Sequence, residues 1–141
     1  VSDRSATVVT GAAGCIGAWV VARLVAAARP VVVFDRSEDR RRLRLVMPDA
    51  AVDALPWVAG DIADAEAVAA ALADHRAGAV IHLAALQIPF CKADPLAGAK
   101  VNVVGQVAVF EAARKLGLRH VVYASSVAAL PADPGQAHPA T

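Results

Sequence analysis

Three glycines at intervals of three, Gly11, Gly14 and Gly17, stand in the string Thr10-Gly11-Ala12-Ala13-Gly14-Cys15-Ile16-Gly17. Glycines so spaced suit a pair of phosphates, which must come close to the backbone where side chains would block them. Gly11 permits a tight turn, Gly14 admits the pyrophosphate, and Gly17 lets a following helix pack closely on a sheet. The amides of Cys15 and Ile16, at the positive end of that helix, can donate to phosphate oxygens. Asp35 follows 18 residues after Gly17. Its carboxylate can accept from both hydroxyls of a ribose and repels a 2′-phosphate. Together these residues describe a dinucleotide site that favours NAD over NADP. Arg36 could lie on the adenine or meet a phosphate. The cluster Arg40, Arg41, Arg42 and Arg44 offers the same chemistry, or simply a solvated helix face.

Other residues need positions of their own. Asp61 follows a short apolar run and fits either a turn cap or an adenine site. His82 reads as a packed histidine rather than a catalyst. Asn102 lies inside a helical stretch, where its side chain is mildly unfavourable, so a hydrogen-bonding role is expected. Ser125 and Ser126 end an apolar strand, the edge at which ligands bind in parallel sheets. Cys91 reads as structural, because no base is near it in sequence.

The elements that must hold these residues alternate. Strands are predicted at Ala6 to Thr10, Val31 to Phe34, Trp57 to Ala59, Ala79 to Leu83 and within His120 to Ser125. Helices are predicted at Cys15 to Ala28, Glu38 to Met47, from an Asp64 cap to about His75, and from Pro95 to Leu116. Gly117 is expected to close the last one in a left-handed conformation. Apolar strands separated by helices imply a doubly wound α/β fold, a Rossmann-like parallel sheet in the order 3-2-1-4-5.

Composition agrees. The 141 residues are 57% hydrophobic and 19% charged, which excludes wholesale disorder. Alanine, 35 of the 141, favours helices. A net charge of +1 is too balanced for a dedicated nucleic-acid binder. No apolar run reaches transmembrane length and no export signal is visible, so no membrane role and a cytoplasmic location are expected. The two cysteines, Cys15 and Cys91, have neither disulfide-framework nor metal-ligand spacing.

The Thr-Gly-x-x-Gly-x-x-Gly string resembles that of the extended short-chain dehydrogenase/reductases, the NAD-dependent epimerase/dehydratase family. Four further motifs match in order: Gly60-Asp61-Ile62, His82-Leu83-Ala84-Ala85, Val101-Asn102-Val103 and Tyr123-Ala124-Ser125-Ser126. The resemblance implies that Asp61 and the Ile62 amide contact adenine. It implies that Leu83, Ala84, Ala85, Gln87 and Ala124 line the cofactor, and that Asn102 helps to order the active site. Ser126 matches the catalytic serine, with Ser125 as the alternative. The implied substrate is a hydroxyl-bearing small molecule, most often a nucleotide sugar, and the implied full-length form is a homodimer.

The family's Tyr-x-x-x-Lys pair is not in this sequence. The single tyrosine, Tyr123, has Val127 rather than Lys four residues on. The resemblance therefore implies an incomplete dinucleotide-binding domain over residues 1–141. The last strands, the substrate-binding carboxyl-terminal part and turnover itself would lie elsewhere. In the intact enzyme the tyrosine would take a proton from a substrate hydroxyl while hydride passes to the nicotinamide. An NAD-dependent dehydrogenase or reductase of a sugar acid or small alcohol, and a non-catalytic dinucleotide-binding module, are the alternatives. A sheet lacking its edge would expose apolar surface, so association of the isolated chain is expected.

Overall fold

The computed structural model describes residues 5–126. Five strands, β1 (Ala6–Thr10), β2 (Val31–Asp35), β3 (Trp57–Ala59), β4 (Ala77–His82) and β5 (His120–Tyr123), form one parallel sheet in the order β3-β2-β1-β4-β5. This is the predicted doubly wound architecture. Successive residues of the central strands face opposite layers. Val9, Val31 and Val33 pack under α1 (Cys15–Ala26), α2 (Arg41–Arg44) and α3 (Asp49–Asp53), with Val21, Leu43 and Val52. Val8, Val32, Phe34 and Val80 face the other way. They pack against α4 (Ala65–Asp74) and α7 (Gly105–Lys115) through Leu72, Val109 and Ala113.

Several boundaries differ from the expected ones. Helix α1 ends at Ala26, and Ala28 turns left-handed at φ 51° before Pro30. The helix expected over Glu38 to Met47 shrinks to α2. Glu38 and Asp39 instead pair with the guanidiniums of Arg40 and Arg41 ahead of it. Pro48, extended at ψ 143°, begins the separate helix α3. Strand β4 starts two residues early, at Ala77, and stops at His82. A helix not foreseen, α5 (Ile88–Ala93), starts with proline in its first turn. The long helix runs as α6 (Pro95–Ala99), a π-helical turn at Lys100–Val104, and α7. Gly117 closes it with φ +67°, as predicted. Strand β5 ends at Tyr123, leaving Ser125 and Ser126 beyond it.

No helix among the described residues is long and apolar enough to cross a membrane. Strand β5 is exposed along its length, and on the helical run that precedes it Val103, Val104 and Val107 are at least half exposed.

Candidate dinucleotide site

The site collects at the carboxyl edge of the sheet, where the chain leaves β1, β2 and β4. Gly11 turns with φ +67°, and a Cβ there would lie 2.6 Å from the Ala84 nitrogen. The turn after β1 thus rests directly on the end of β4. A Cβ on Gly14 would lie 2.9 Å from the Gly11 carbonyl oxygen. One on Gly17 would strike that same oxygen and approach Ala12 Cα to 2.7 Å. Gly17 therefore seats the helix on its own entry loop, and it is this loop, not the sheet, that excludes a side chain there. Each glycine removes a specific clash.

The amino end of α1 is left open. Gly14 is its N-cap, extended at φ −70° and ψ 171°. No side chain caps it and no acid stands in the first turn. Cys15 and Ile16 are exposed there, with Ile16 at 66% of its full surface. A twelve-residue helix with donors in this state presents an anion-binding end.

Asp35, half-buried at the end of β2, reaches over this loop. Its Oδ2 accepts from the Ala13 amide at 2.8 Å and its Oδ1 from the Arg36 amide at 2.8 Å. Carboxylate oxygens retain lone pairs after one bond each, so two ribose hydroxyls can still be accepted. Arg36 is exposed beside it. Asp61 is also exposed and its Oδ1 holds the Ala63 amide at 2.9 Å. Ile62 is buried in the core, which leaves its backbone as the group that could meet a ligand.

The far wall is organised by two polar side chains. Thr10 Oγ1 lies 2.7 Å from His82 Nδ1 and 3.3 and 3.4 Å from the Leu83 and Ala84 amides. The hydroxyl accepts from the amides and so turns its own proton toward Nδ1. Burial pushes the His82 pKa below its ordinary value, in keeping with a neutral ring. His82 is a packed residue, as its sequence context suggested. Asn102, in the π-helical turn, accepts from the Leu86 amide at 2.7 Å and donates to the Leu86 carbonyl at 2.9 Å. Cys91 Sγ lies 3.3 Å from that carbonyl and 3.4 Å from Asn102 Nδ2. Asn102 thus works through the backbone that leads to the exposed Ala85 and Gln87.

On the β5 side the Ala124 amide donates to the His82 carbonyl at 3.2 Å, extending the ladder toward Ser125 and Ser126. The Tyr123 ring meets Phe110 edge-on, with centroids 5.3 Å apart, a packing role rather than a catalytic one. Among the four clustered arginines, Arg40, Arg41 and Arg44 pair with acids. Arg42 instead reaches the Ala13 carbonyl at 3.3 Å.

Ala13, Thr10 and Leu86 were absent from the sequence-derived site. Ala13 and Leu86 contribute backbone atoms, which residue type does not reveal. Thr10 was legible only as a strand end. Arg42 could have been singled out, because neighbouring acids account for the other three arginines and leave it over.

The glycine turn, the open helix end and the acid above it are the parts that a dinucleotide requires, and comparison with known proteins agrees. The sequence profile of the NAD dependent epimerase/dehydratase family matches residues 7–141. The chain is 40% identical over 121 residues to UDP-glucose 4-epimerase of Mycolicibacterium smegmatis, covering 85% of this chain and 38% of that protein. The UDP-glucose 4-epimerase of Thermus thermophilus, solved as a complex with NAD, superposes with a TM-score of 0.74 at 31% identity. The match covers 86% of this chain and 37% of that one. A Stenotrophomonas maltophila UDP-glucose-4-epimerase, with bound NAD and formylated UDP-arabinopyranose, gives 0.76 at 28% identity, covering 88% and 38%. The chain spans little more than a third of the length of these relatives. With fold, site and profile in agreement over nearly its whole length, the chain belongs to the NAD dependent epimerase/dehydratase family.

Proposed function

We propose that residues 1–141 form the NAD-holding part of a nucleotide-sugar epimerase of the UDP-glucose 4-epimerase type, working in the cytoplasm. The observation that carries this reading is the uncapped amino end of α1, framed by Gly11, Gly14 and Gly17 and overhung by Asp35. In this reading the amides of Cys15 and Ile16 take the pyrophosphate. Asp35 takes the ribose hydroxyls, with Arg36 at its side. Asp61 and the Ile62 amide hold the adenine. Leu83, Ala84, Ala85, Gln87 and Ala124 line the remainder, on a wall kept in register by Asn102. When bound, NAD supplies a reversible hydride acceptor. Ser126, beyond β5 at the same sheet edge, holds the reacting oxygen of the substrate by a hydrogen bond. Deprotonation of that oxygen falls to the Tyr-x-x-x-Lys pair that the family resemblance implies.

The apolar residues Val103, Val104 and Val107 support a homodimer of the full-length protein. The test is product analysis with the full-length protein, NAD and UDP-galactose. Conversion to UDP-glucose without net NADH is the expected result. Stoichiometric NADH release with a ketone product would instead indicate a dehydrogenase.

A further inference from the structure

Arg40 stands between the end of β2 and the start of α2, and only 20% of its side-chain surface is exposed. Its guanidinium gathers three parts of the chain. Nη1 donates to the Val52 carbonyl of α3 at 2.6 Å and Nε donates to Glu38 Oε1 at 2.9 Å. Cζ lies over the Trp57 ring of β3, 5.2 Å from its centroid. The Trp57 Nε1 is buried and has no hydrogen-bond partner among the described residues. Leaving that donor unpaired is a cost that an aliphatic side chain or a phenyl ring would not incur. The indole is therefore explained by its face, the best of the aromatic platforms for a cation.

The segment that Arg40 anchors leads to the glycine turn. The Arg40 carbonyl accepts from the Arg44 amide at 3.1 Å, so the residue also begins α2. Within α2, Leu43 is fully buried and Arg42 Nη1 donates to the Ala13 carbonyl at 3.3 Å. Asp35, at the start of the same segment, accepts from the Ala13 amide at 2.8 Å. Residues 35–44 thus hold Ala13 by its amide and its carbonyl, and Arg40 fixes those residues to α3 and β3.

We propose that Arg40 is a positioning residue for the adenosine half of the dinucleotide. By clasping Glu38, the Val52 carbonyl and the Trp57 face, it keeps the turn after β2 in the form that sets Asp35 over the glycine turn. This rests on the dinucleotide reading above and goes beyond it. Arg40 meets no ligand itself and acts through the turn. A lysine, one compact charge, cannot serve the fork and the ring together.

The test measures NAD and ADP affinities by calorimetry on the protein, Arg40→Leu, Arg40→Lys, Trp57→Leu and Arg40→Leu/Trp57→Leu. Each is measured at a temperature where thermal melts show it folded, and Arg40→Gln replaces Arg40→Leu if the leucine variant does not fold. Arg40→Leu should bind NAD and ADP about tenfold more weakly, both by the same factor. Arg40→Lys should stay about fivefold weaker despite its charge. Trp57→Leu should weaken binding about threefold, and the double variant no further than Arg40→Leu alone, since the two side chains act as one unit. A merely structural role would lower the melts and leave the affinities of the folded variants unchanged. Unchanged affinity in folded Arg40→Leu, full recovery in Arg40→Lys, or additive losses in the double variant overturns the proposal. If the unsubstituted protein fails to bind NAD, the dinucleotide reading falls and takes this inference with it. If it binds NAD and the folded variants match it, only this inference falls.

Discussion

Helices α1 and α4 each leave the carboxyl edge of the same sheet, yet their amino ends are finished differently. Asp64 caps α4, its Oδ1 accepting from the Glu66 and Ala67 amides at 3.0 and 3.1 Å, and Glu66 adds a negative charge in the first turn. The end of α1 has Gly14 in the capping position, no side-chain acceptor and no acid. Side-chain capping satisfies amides and stabilises a helix by about 1 kcal/mol. The α1 end forgoes that stabilisation, and its donors stay available to an anion from outside. The contrast teaches that function here is written as an omission. Helix α4 satisfies its own amino end, while α1, on the opposite face of the sheet, leaves its end open.

The largest effect should come from filling the space that lets the open end exist. Gly17→Ala places a Cβ against the Gly11 carbonyl and Ala12 Cα, both backbone atoms that cannot swing aside. It should destabilise the chain by about 3 kcal/mol and abolish NAD binding, read by urea melts and calorimetry. A melt unchanged from the unsubstituted protein would show that the loop is not as tightly seated as described.

Next comes the closed end. Asp64→Ala should cost about 1 kcal/mol in the same melts. NAD affinity should stay within about twofold, since the cap serves the helix alone. A large loss of NAD affinity would erase the distinction between the two helix ends.

The smallest effect concerns the strand ends beneath the loop. His82, bonded to Thr10, has a pKa lowered by burial from an ordinary 6.5. The unfolded chain therefore takes up this proton more readily than the folded one. The stability it confers is fully present above pH 6.5 and is lost as pH falls toward the lower folded value. Urea melts at about pH 7.5 and 5.5 should differ, and the difference should shrink in His82→Gln. An undiminished difference would assign the pH dependence to other groups.

Much of this was legible in the sequence, for physical reasons. Strands β1 and β2 are buried on both faces, so they read as unbroken apolar runs. Asp64 announced α4 because a cap requires a particular side chain. Gly117 announced a helix end because its φ of +67° strains other residues. The glycine string was legible because each position excludes a Cβ. Helices α3 and α5 were not, being five and six residues long, too short for a periodic stripe. The break of the long helix at Lys100–Val104 was hidden too, because a π-helical turn leaves no compositional mark. Asn102 stood out as a polar residue inside a helix, yet its partner Leu86 offers only backbone atoms. The acid–amide bond from Asp35 to Ala13 was invisible for the same reason.

The central claim is that the open end of α1 is the seat of the dinucleotide. It is tested most directly by titrating NAD calorimetrically into the protein and into Gly14→Asp, which converts that end into a likeness of α4. The backbone at Gly14, φ −70° and ψ 171°, accepts an L-residue. The new Cβ lies 2.9 Å from the Gly11 carbonyl oxygen, a backbone atom that must shift to admit it, so the comparison is made on the variant that a thermal melt shows to be folded. The account predicts that the unsubstituted protein binds NAD and that the folded variant binds it about a hundredfold more weakly. Equal affinity in the two proteins, or no binding by the unsubstituted one, would contradict it.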